Sequence, residues 1–344
     1  MMPRFKTLAL TSISTAALLA AAPAMATTFT ISWWGFNGDK LQEIIVNPFQ
    51  EMCGCEVVFE TGNNSDRLNR LQMRGGAGVD VIYLTDSFSQ AGIEQGLFQP
   101  IDRAQIPNIA ELHELAQAPQ GEFGPAYTVG RIGLVYDSAR VNPPITSWND
   151  LWREDLAGMI ALPNITTTTG PMVVLKAGDH AGVSAYEDQD AAFAALAELV
   201  PNVVTNYNTG SEMINLFSTG EIAVSMTQDF TLNPLRAAVP TIEWAELSDG
   251  EIAVLNTINI PTGSENVELA HQFINFVLSA EIQQQLAEQG VDAPINANVE
   301  LTPEQAAGWT YGAEAIGSLT RIDYSQLNPA RNQWLDLWNE TFGM

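Results

Sequence analysis

Short apolar runs and longer segments with helical spacing alternate along the first third of the chain. Runs rich in β-branched and aromatic residues predict strands, and apolar residues that recur every three to four positions predict helices. The predicted strands are residues 29–34, 56–60 and 79–85, and the predicted helices are residues 39–52 and 65–73. The third run is almost continuously apolar, which is typical of a parallel strand with both faces buried. This order of elements predicts an α/β lobe.

A second set of strands and helices begins near residue 131. Strands are predicted at 131–136, 159–163, 222–227 and 252–260, and helices at 188–200 and 267–289, with a further helical segment after the N-cap Ser147. No linker-like stretch separates the two sets, which favours two lobes joined by strands. We expect lobe 1 at 27–128, lobe 2 at 129–253, a return to lobe 1 at 254–298, and C-terminal helices at 299–344 that pack on lobe 2.

Residues 1–26 are predicted to be a secretory signal peptide. Arg4 and Lys6 form a positive start, an alanine-rich apolar stretch follows, and residues 24–26 have the small side chains of a cleavage site. No later stretch approaches the roughly eighteen apolar residues that a membrane helix needs. We therefore expect cleavage near Ala26 and export of the mature chain to the periplasm.

The chain after residue 26 is strongly acidic. The sequence has 14 Lys and Arg and 40 Asp and Glu, and the signal peptide removes two basic residues and no acidic one, which leaves 12 − 40 = −28. Such an imbalance argues against a nucleic-acid partner, because phosphate binding needs clustered cations. It is compatible with attraction of a cationic ligand, or simply with solubility in a salty habitat.

The two cysteines lie close together. Cys53 and Cys55 flank Gly54, and in an oxidising compartment they can form a local disulfide. A redox-active pair is the alternative interpretation, but no thioredoxin-like pattern surrounds it. We expect a structural cap.

Few residues in this sequence have the spacing of catalytic or metal-binding groups. His113, His180 and His271 have no metal-ligand spacing, and the chain has no serine-hydrolase, zinc-protease or Walker motif. Each histidine is predicted to lie at the surface. We expect no catalytic residue, no metal site and no cofactor. A carboxylate-using exported hydrolase is the remote alternative, because an acidic chain offers many carboxylate pairs; a metal receptor would need clustered tyrosines or histidines.

Ligands of open α/β sheets bind outside the carboxyl ends of the strands. That rule selects five loops, at 34–37, 85–88, 163–170, 227–230 and around Asn256. Two lobes would place these loops face to face across a cleft. Trp33 and Phe36 follow the first strand, and aromatic faces suit alkyl chains and ammonium groups. Consecutive strand residues point to opposite faces, so Trp34 is expected to pack behind Trp33.

Several weak motifs occur in a characteristic order. They are Trp33 at the end of the first strand, VDVIYLT at 79–85, TSWNDLW at 146–152, LAGMIAL at 156–162, LVPNV at 199–203, GEIAV at 220–224, INIP at 258–261 and AHQFINFVL at 270–278. In this order the chain resembles the polyamine-type (spermidine and putrescine) solute-binding proteins of ABC importers, over essentially the whole mature length. The resemblance implies a two-lobed type II periplasmic binding protein, monomeric, with a mostly parallel sheet flanked by helices in each lobe. It also implies hinge closure on the ligand and docking on membrane permease subunits.

The resemblance also implies a set of ligand-binding residues. They are Trp33, Phe36, Thr85, Ser87, Thr167, Thr168, Asp229, Asn256, Tyr311 and Arg321. Five of these positions depart from the family, and Phe36 is one of them because the family has a tyrosine there. Thr167 and Thr168 lie in a loop where the family has acidic residues, and Asn256 replaces an aspartate. Arg321 falls where the family has a neutral amide, with a surface salt bridge as its alternative role.

These departures bear on the ligand. A diamine needs a carboxylate at each end, because an unpaired buried charge is costly, and Asp229 is the one evident carboxylate. We expect a periplasmic receptor for a small cationic or zwitterionic solute, with polyamines as the family default and a γ-aminobutyrate-like zwitterion as the alternative. Spermidine is expected to bind weakly. Trp33→Ala or Asp229→Ala is expected to abolish binding with little change in the melting temperature of the free protein.

Overall fold

The computed structural model describes residue 1, residues 27–35 and residues 37–343. Most of the predicted signal peptide (2–26) and Phe36 therefore lie outside the described residues. Within them the protein is a two-lobed α/β structure with a separate hydrophobic core in each lobe. Both the fold class and the two-lobed arrangement expected from the sequence are confirmed.

The described residues between 27 and 137 supply lobe 1 and the first connection to lobe 2. Their elements are β1 (Thr28–Trp33), α1 (Gly38–Leu41), a π-helical turn (Gln42–Val46), α2 (Asn47–Cys53), β2 (Glu56–Thr61), α3 (Asn64–Met73), β3 (Val81–Thr85), α4 (Asp86–Glu94), β4 (Phe98–Gln99), 3-10 turns (Arg103–Gln105, Pro107–Glu111), α5 (Glu114–Gln117) and β5 (Ala126–Asp137). The predicted helix 39–52 is thus interrupted by a π-helical turn. Strand β5 begins five residues earlier than predicted, because its first half completes lobe 1.

The rest of the chain builds lobe 2, returns to lobe 1 and ends in helices. Its elements are 3-10 turns (Trp148–Trp152, Glu154–Leu156), β6 (Ile160–Pro163), α6 (Gly170–Ala181), α7 (Gln189–Leu199), a 3-10 turn (Val200–Asn202), β7 (Val203–Tyr207), α8 (Gly210–Ser218), β8 (Val224–Gln228), a 3-10 turn (Asp229–Thr231), α9 (Leu232–Ala238), β9 (Ile242–Trp244), β10 (Ile252–Pro261), α10 (Val267–Val277), α11 (Ala280–Glu288), α12 (Pro303–Ala306), α13 (Ala313–Gly317) and α14 (Tyr324–Phe342). The predicted helix 267–289 is two helices. Ser279 separates them, because its side chain accepts a hydrogen bond from the N–H of Ile282 and starts α11 as an N-cap.

One sheet runs through both lobes in the order β2-β1-β3-β10-β5-β8-β6-β7, with β4 beside β10 and β9 beside β5. The pairs β1–β2 and β1–β3 are parallel in lobe 1, and β6–β7 and β6–β8 are parallel in lobe 2. In the middle, β10 and β5 run antiparallel to each other and to their outer neighbours. The carboxyl ends of the parallel strands therefore face the junction of the lobes, where the sequence predicted the ligand loops.

Each lobe has its own hydrophobic core, and two strands pass between them. On β5, Val129 belongs to the lobe 1 core and Ile132 to the lobe 2 core. On β10, Leu255 packs in the first core and Val254 in the second. The hinge therefore lies near residue 130 of β5 and residue 254 of β10. We call these two strands the hinge strands.

The C-terminal segment touches both cores. Ile316 and Leu319 pack in the lobe 1 core, whereas Trp334 and Trp338 of α14 are fully buried in the lobe 2 core. The two tryptophans are four residues apart and share one helix face, as their spacing predicts. The chain after residue 315 therefore contacts the lobe 1 core before α14 packs in the lobe 2 core.

Two smaller predictions have different outcomes. Cys53 and Cys55 form a disulfide, with Gly54 between them at φ 63°, at the turn from α2 to β2. This agrees with the structural-cap interpretation. The surface prediction for His271 is wrong, because the residue is 3 % exposed. Its Nε2 accepts the N–H of Asp102 and its Nδ1 bonds to the Val267 carbonyl, so its ring joins α10 to the chain before it.

The described residues include no helix that is both long enough and apolar enough to cross a membrane. The same residues show no group of three or more His, Cys, Asp or Glu side chains placed to hold a metal ion.

Candidate functional site

A cleft of about 420 Å³ separates the lobes at the carboxyl ends of their strands. It is lined by Asn63, Asn64, Ser65 and Phe88 from lobe 1 and by Pro163, Thr166–Thr169, Tyr207, Asn208, Gly210, Thr227, Gln228, Phe230 and Thr231 from lobe 2. Three of the loops selected from the sequence, at 85–88, 163–170 and 227–230, contribute to it. We call this space the threonine cleft.

The threonine-rich loop that leads into α6 is held by its own hydrogen bonds. The Thr167 hydroxyl donates to the Asn164 carbonyl at 2.8 Å and accepts the N–H of Gly170 at 3.0 Å. Gly170 is required, because a Cβ there would lie 2.0 Å from the Asn164 carbonyl oxygen. Thr167 is thus engaged inside the loop, while the half-buried Thr168 also lines the threonine cleft.

Asp229 lies directly after β8, at the hinge. It is 8 % exposed, and its Oδ2 accepts a 2.6 Å hydrogen bond from the hydroxyl of Thr310. Its Oδ1 lies so near the hinge strand that a Cβ on Gly130 would be 2.9 Å away. Burial raises the pKa of the carboxyl to about 6, against the opposing effect of Thr310, of two backbone N–H groups and of the Arg131 charge. Arg131 itself is paired with Glu251 at 2.8 Å.

A second buried carboxylate, Asp292, was missed by the sequence reasoning. It lies in the loop after α11, and part of the residue reaches the surface. Its Oδ2, however, is buried and has no hydrogen-bond partner among the described residues. Burial raises the pKa of Asp292 to about 8. The charge of Asp292 in turn contributes to the raised pKa values of Tyr83 and Tyr127, for which burial is the main cause.

Four rings form what we call the aromatic cluster: Trp33, Trp34, Tyr83 and Tyr127. The Trp33 centroid lies 4.5 Å from that of Tyr83, 4.9 Å from Trp34 and 6.2 Å from Tyr127. Trp33 is 3 % exposed and packs in the lobe 1 core, whereas Trp34 is half-buried. The order of burial is therefore the reverse of the expectation that Trp34 is the packing ring.

Arg67 of α3 connects the aromatic cluster to the threonine cleft. Its guanidinium carbon lies 4.9 Å from the centre of the Trp34 ring, and its Nη2 donates to the side chain of Asn64, which lines the cleft. The remaining donors bind the carbonyls of Gly62, Ser32 and Tyr83. Burial lowers the pKa of Arg67 to about 10. The fork of donors fixes the ends of β1, β2 and β3, a role that sequence reasoning missed.

The other predicted residues lie in different places. Thr85 and Ser87 are buried and their hydroxyl oxygens are 3.3 Å apart, and Asn256 is paired with Thr85 in the ladder between β10 and β3. The Tyr311 hydroxyl donates to the Val299 carbonyl and accepts the N–H of Leu301, so it fixes its own loop. These four residues and their ligand roles stay predictions.

Arg321 lines a different cavity. It donates to the Pro119 carbonyl at 2.7 Å and, with Asp86 and Tyr324, lines a space of about 350 Å³. Asp86 accepts hydrogen bonds from the N–H groups of Leu255 and of Ser87, and burial raises its pKa to about 7. The surface salt bridge expected as an alternative for Arg321 is absent from the ion pairs of the described residues.

Comparison with known proteins identifies the family of this two-lobed fold. Residues 45–313 match the profile of the family described as bacterial extracellular solute-binding protein. The chain belongs to this family. Its members are receptors that bind a solute for transport rather than enzymes, which agrees with the expectation of a transport receptor. The protein is therefore an extracellular solute-binding receptor of an ABC transporter.

Relatives support the polyamine-type resemblance. The spermidine/putrescine-binding periplasmic protein of Escherichia coli (strain K12) is 24% identical over 270 residues, 76% of this chain and 77% of that protein. The putrescine-binding periplasmic protein SpuD of Pseudomonas aeruginosa (strain UCBPP-PA14) is 25% identical over 326 residues, 88% of this chain and 87% of that protein.

Two solved structures extend the comparison. An ABC transporter protein from Clostridium perfringens ATCC 13124 has a TM-score of 0.86 and 38% identity, over 91% of this chain and 99% of that chain. The Atu4243-GABA receptor has a TM-score of 0.75 at 18% identity, over 92% and 98% of the two chains, which shows a shared fold alone.

Proposed function

We propose that the protein is a periplasmic, monomeric receptor that binds a small amine-bearing solute between its lobes and delivers it to the permease subunits of an ABC importer. Polyamines such as putrescine or spermidine are the solute class we favour. The observation that carries this proposal is Asp229, a carboxylate buried beside a hinge strand and close to the meeting point of the lobes.

The environment of Asp229 favours a cation. An ionised carboxylate in a buried place is costly unless a positive charge or several donors compensate it. Thr310 and the backbone N–H groups of Arg131 and Phe230 supply three neutral donors, but the nearby Arg131 guanidinium is already paired with Glu251. An arriving ammonium group would supply the missing charge and lower the pKa of Asp229 from about 6. The aromatic cluster and the formal charge of −28 after residue 26 add cation–π surface and long-range attraction.

A zwitterionic solute of the γ-aminobutyrate type is the second candidate. The observation that favours it is the composition of the threonine cleft, which threonine side chains such as Thr168 line with hydroxyl groups that can donate to a carboxylate. Arg321, which the sequence offered as an anion-binding group, lines the other cavity instead.

A calorimetric titration of the mature protein against putrescine, spermidine, γ-aminobutyrate and butylamine tests the proposal. We expect the amines to bind, and we expect Asp229→Asn to weaken each of them by about 30-fold or more, since truncating one partner of a buried charge pair costs roughly 2–5 kcal/mol. The control is Asp336→Asn, an exposed aspartate on α14. Binding of none of the four solutes, or equal affinities of Asp229→Asn and the control, would contradict the proposal.

A further inference from the structure

Within the described residues, the carboxylate of Asp292 forms neither a hydrogen bond through its buried oxygen nor an ion pair that would stabilise the fold. Its Oδ2 is buried without a hydrogen-bond partner, and Asp292 belongs to none of the ion pairs formed by the described residues. A buried carboxylate that stabilises a fold is normally hydrogen-bonded or ion-paired, because the desolvation of an unpaired charge lowers the stability of the folded state. An unpaired one that persists is better explained by a partner that arrives from solution.

The loop that contains Asp292 lies against a hinge strand. The hydroxyl of Thr128 on β5 donates a 2.7 Å hydrogen bond to the carbonyl of Ala293, the residue after Asp292. Thr128 precedes Gly130 by two residues, and Gly130 is the residue that Asp229 approaches. Two strand residues span about 7 Å. The loops that contain the two carboxylates therefore contact β5 at positions only one side-chain repeat apart.

The aromatic cluster borders Asp292 on the lobe 1 side. Tyr83 and Tyr127 are near enough for the Asp292 charge to raise their pKa values, and Trp33 packs on both of these rings. A carboxylate beside aromatic faces is the combination that holds an alkylammonium group, with charge from the oxygen and dispersion from the rings. Arg67, the cation that packs on the Trp34 ring, donates to three carbonyls and to Asn64 and gives no hydrogen bond to Asp292.

We propose that Asp292 is a second cation-binding residue, which holds one ammonium end of the solute while Asp229 holds the other. This inference rests on the proposed function and narrows it, because two carboxylates select a solute with two positive ends over a monoamine or a zwitterion. It also replaces the carboxylates that the sequence lacks at the threonine-rich loop and at Asn256. Asp292 thus determines specificity from a position that the family resemblance does not assign.

The test compares Asp292→Asn with the unaltered protein by calorimetry, using 1,4-diaminobutane and butylamine, which differ by one ammonium group. We expect Asp292→Asn to weaken diaminobutane by about 30-fold, equivalent to about 2 kcal/mol at 1.4 kcal/mol per tenfold change. Butylamine, held by Asp229 alone, should change by less than about twofold. Asp336→Asn, which removes an exposed carboxylate, is the matched control and should change neither affinity.

Four outcomes distinguish the inference about Asp292 from the proposed receptor function. A selective loss of diaminobutane affinity supports the inference. Equal losses for both amines, or no loss for either, overturn it and leave the proposed receptor function standing. Failure of every amine to bind the unaltered protein overturns the proposed function and the inference with it. Asp292→Asn is expected to fold, because it breaks no hydrogen bond of the buried oxygen; Asp292→Ala repeats the comparison as a second variant.

Discussion

Replacement of Trp33 by alanine is the sharpest test of how the first strand is built. The residue is 3 % exposed and contacts Tyr83 and Trp34 at centroid distances of 4.5 and 4.9 Å. Truncating a buried tryptophan or phenylalanine costs about 3–5 kcal/mol, from lost transfer energy and the cavity left behind. At about 2–4 °C per kcal/mol, the melting temperature should fall on the order of 10 °C. The expectation of little change, made from the sequence, is therefore revised.

The neighbouring residue provides the matched control. Trp34 is half-buried, and its ring lies 4.9 Å from both the Trp33 ring centre and the guanidinium carbon of Arg67. Trp34→Ala therefore loses part of its burial, its aromatic contact with Trp33 and one cation–π contact, about 2–3 kcal/mol in all. Thermal unfolding of the free mature protein, followed by circular dichroism and calorimetry, measures both variants under one buffer.

The melting temperatures of the two variants should differ. Trp33→Ala should melt well below Trp34→Ala, and the loss should persist without any solute. Equal melting temperatures for the two variants, or a Trp33→Ala protein as stable as the unaltered one, would refute the assignment of Trp33 to the lobe 1 core. A Trp33→Ala protein that melts early and still binds amines would show that its main role is packing.

Three further predictions concern buried charges. Burial raises the pKa of Asp86 to about 7, above its unfolded value of about 3.9. Between about pH 4 and 7 the folded state therefore keeps a proton that the unfolded state has lost, so the unfolding free energy falls as the pH rises. In urea melts, the fall in unfolding free energy from pH 5 to pH 8 should be smaller for Asp86→Asn than for the unaltered protein. Thr310→Val removes the 2.6 Å bond to Asp229, raises the pKa of that carboxyl and should weaken amine binding more at pH 6 than at pH 8 by calorimetry. Arg67→Lys cannot reproduce the fork of donors to buried carbonyls and should lower the unfolding free energy by about 2–4 kcal/mol in urea melts, and a stability unchanged from that of the unaltered protein would contradict this role.

Much of the fold can be predicted from local patterns. The strands at 56–60 and 159–163 are found within one residue of their predicted bounds, because short apolar runs between turn residues have few other solutions. The interruption of the helix at 267–289 was missed, although Ser279 is a good N-cap residue in the sequence. Amphipathic spacing continues on both sides of the break, so periodicity alone does not reveal it.

The alternation of apolar residues along β1 predicts that Trp33 is buried. Phe29, Ile31 and Trp33 alternate along one face and are all buried in the lobe 1 core. The period of two therefore already places Trp33 on the core face, and the family resemblance outweighed it in the expectation. A position near a strand end does not by itself say how deeply the ring is buried.

The candidate site depends more on long-range contacts. Asp292 has no local signal among 40 acidic residues, and its burial arises from packing against β5, more than 150 positions earlier in the chain. Arg67 likewise looks like an ordinary helix-surface cation until the ends of β1 and β3 bring carbonyls to it. Burial of a charge is a property of the assembled lobes, so sequence patterns of one element do not contain it.

Three buried carboxylates lie beside the two hinge strands. Asp86 accepts the N–H of Leu255 on β10, Asp229 approaches Gly130 on β5, and the loop of Asp292 is bonded to Thr128 on β5. Each has a pKa raised by burial, so each opposes the compact arrangement when ionised. A cationic solute offsets this opposition at the place where the lobes pivot, because its charge stabilises the ionised carboxylates only when they are buried together. Ligand charge and lobe closure are then coupled through the same carboxylates: under the proposed function a cation favours closure, and a neutral or anionic solute does not.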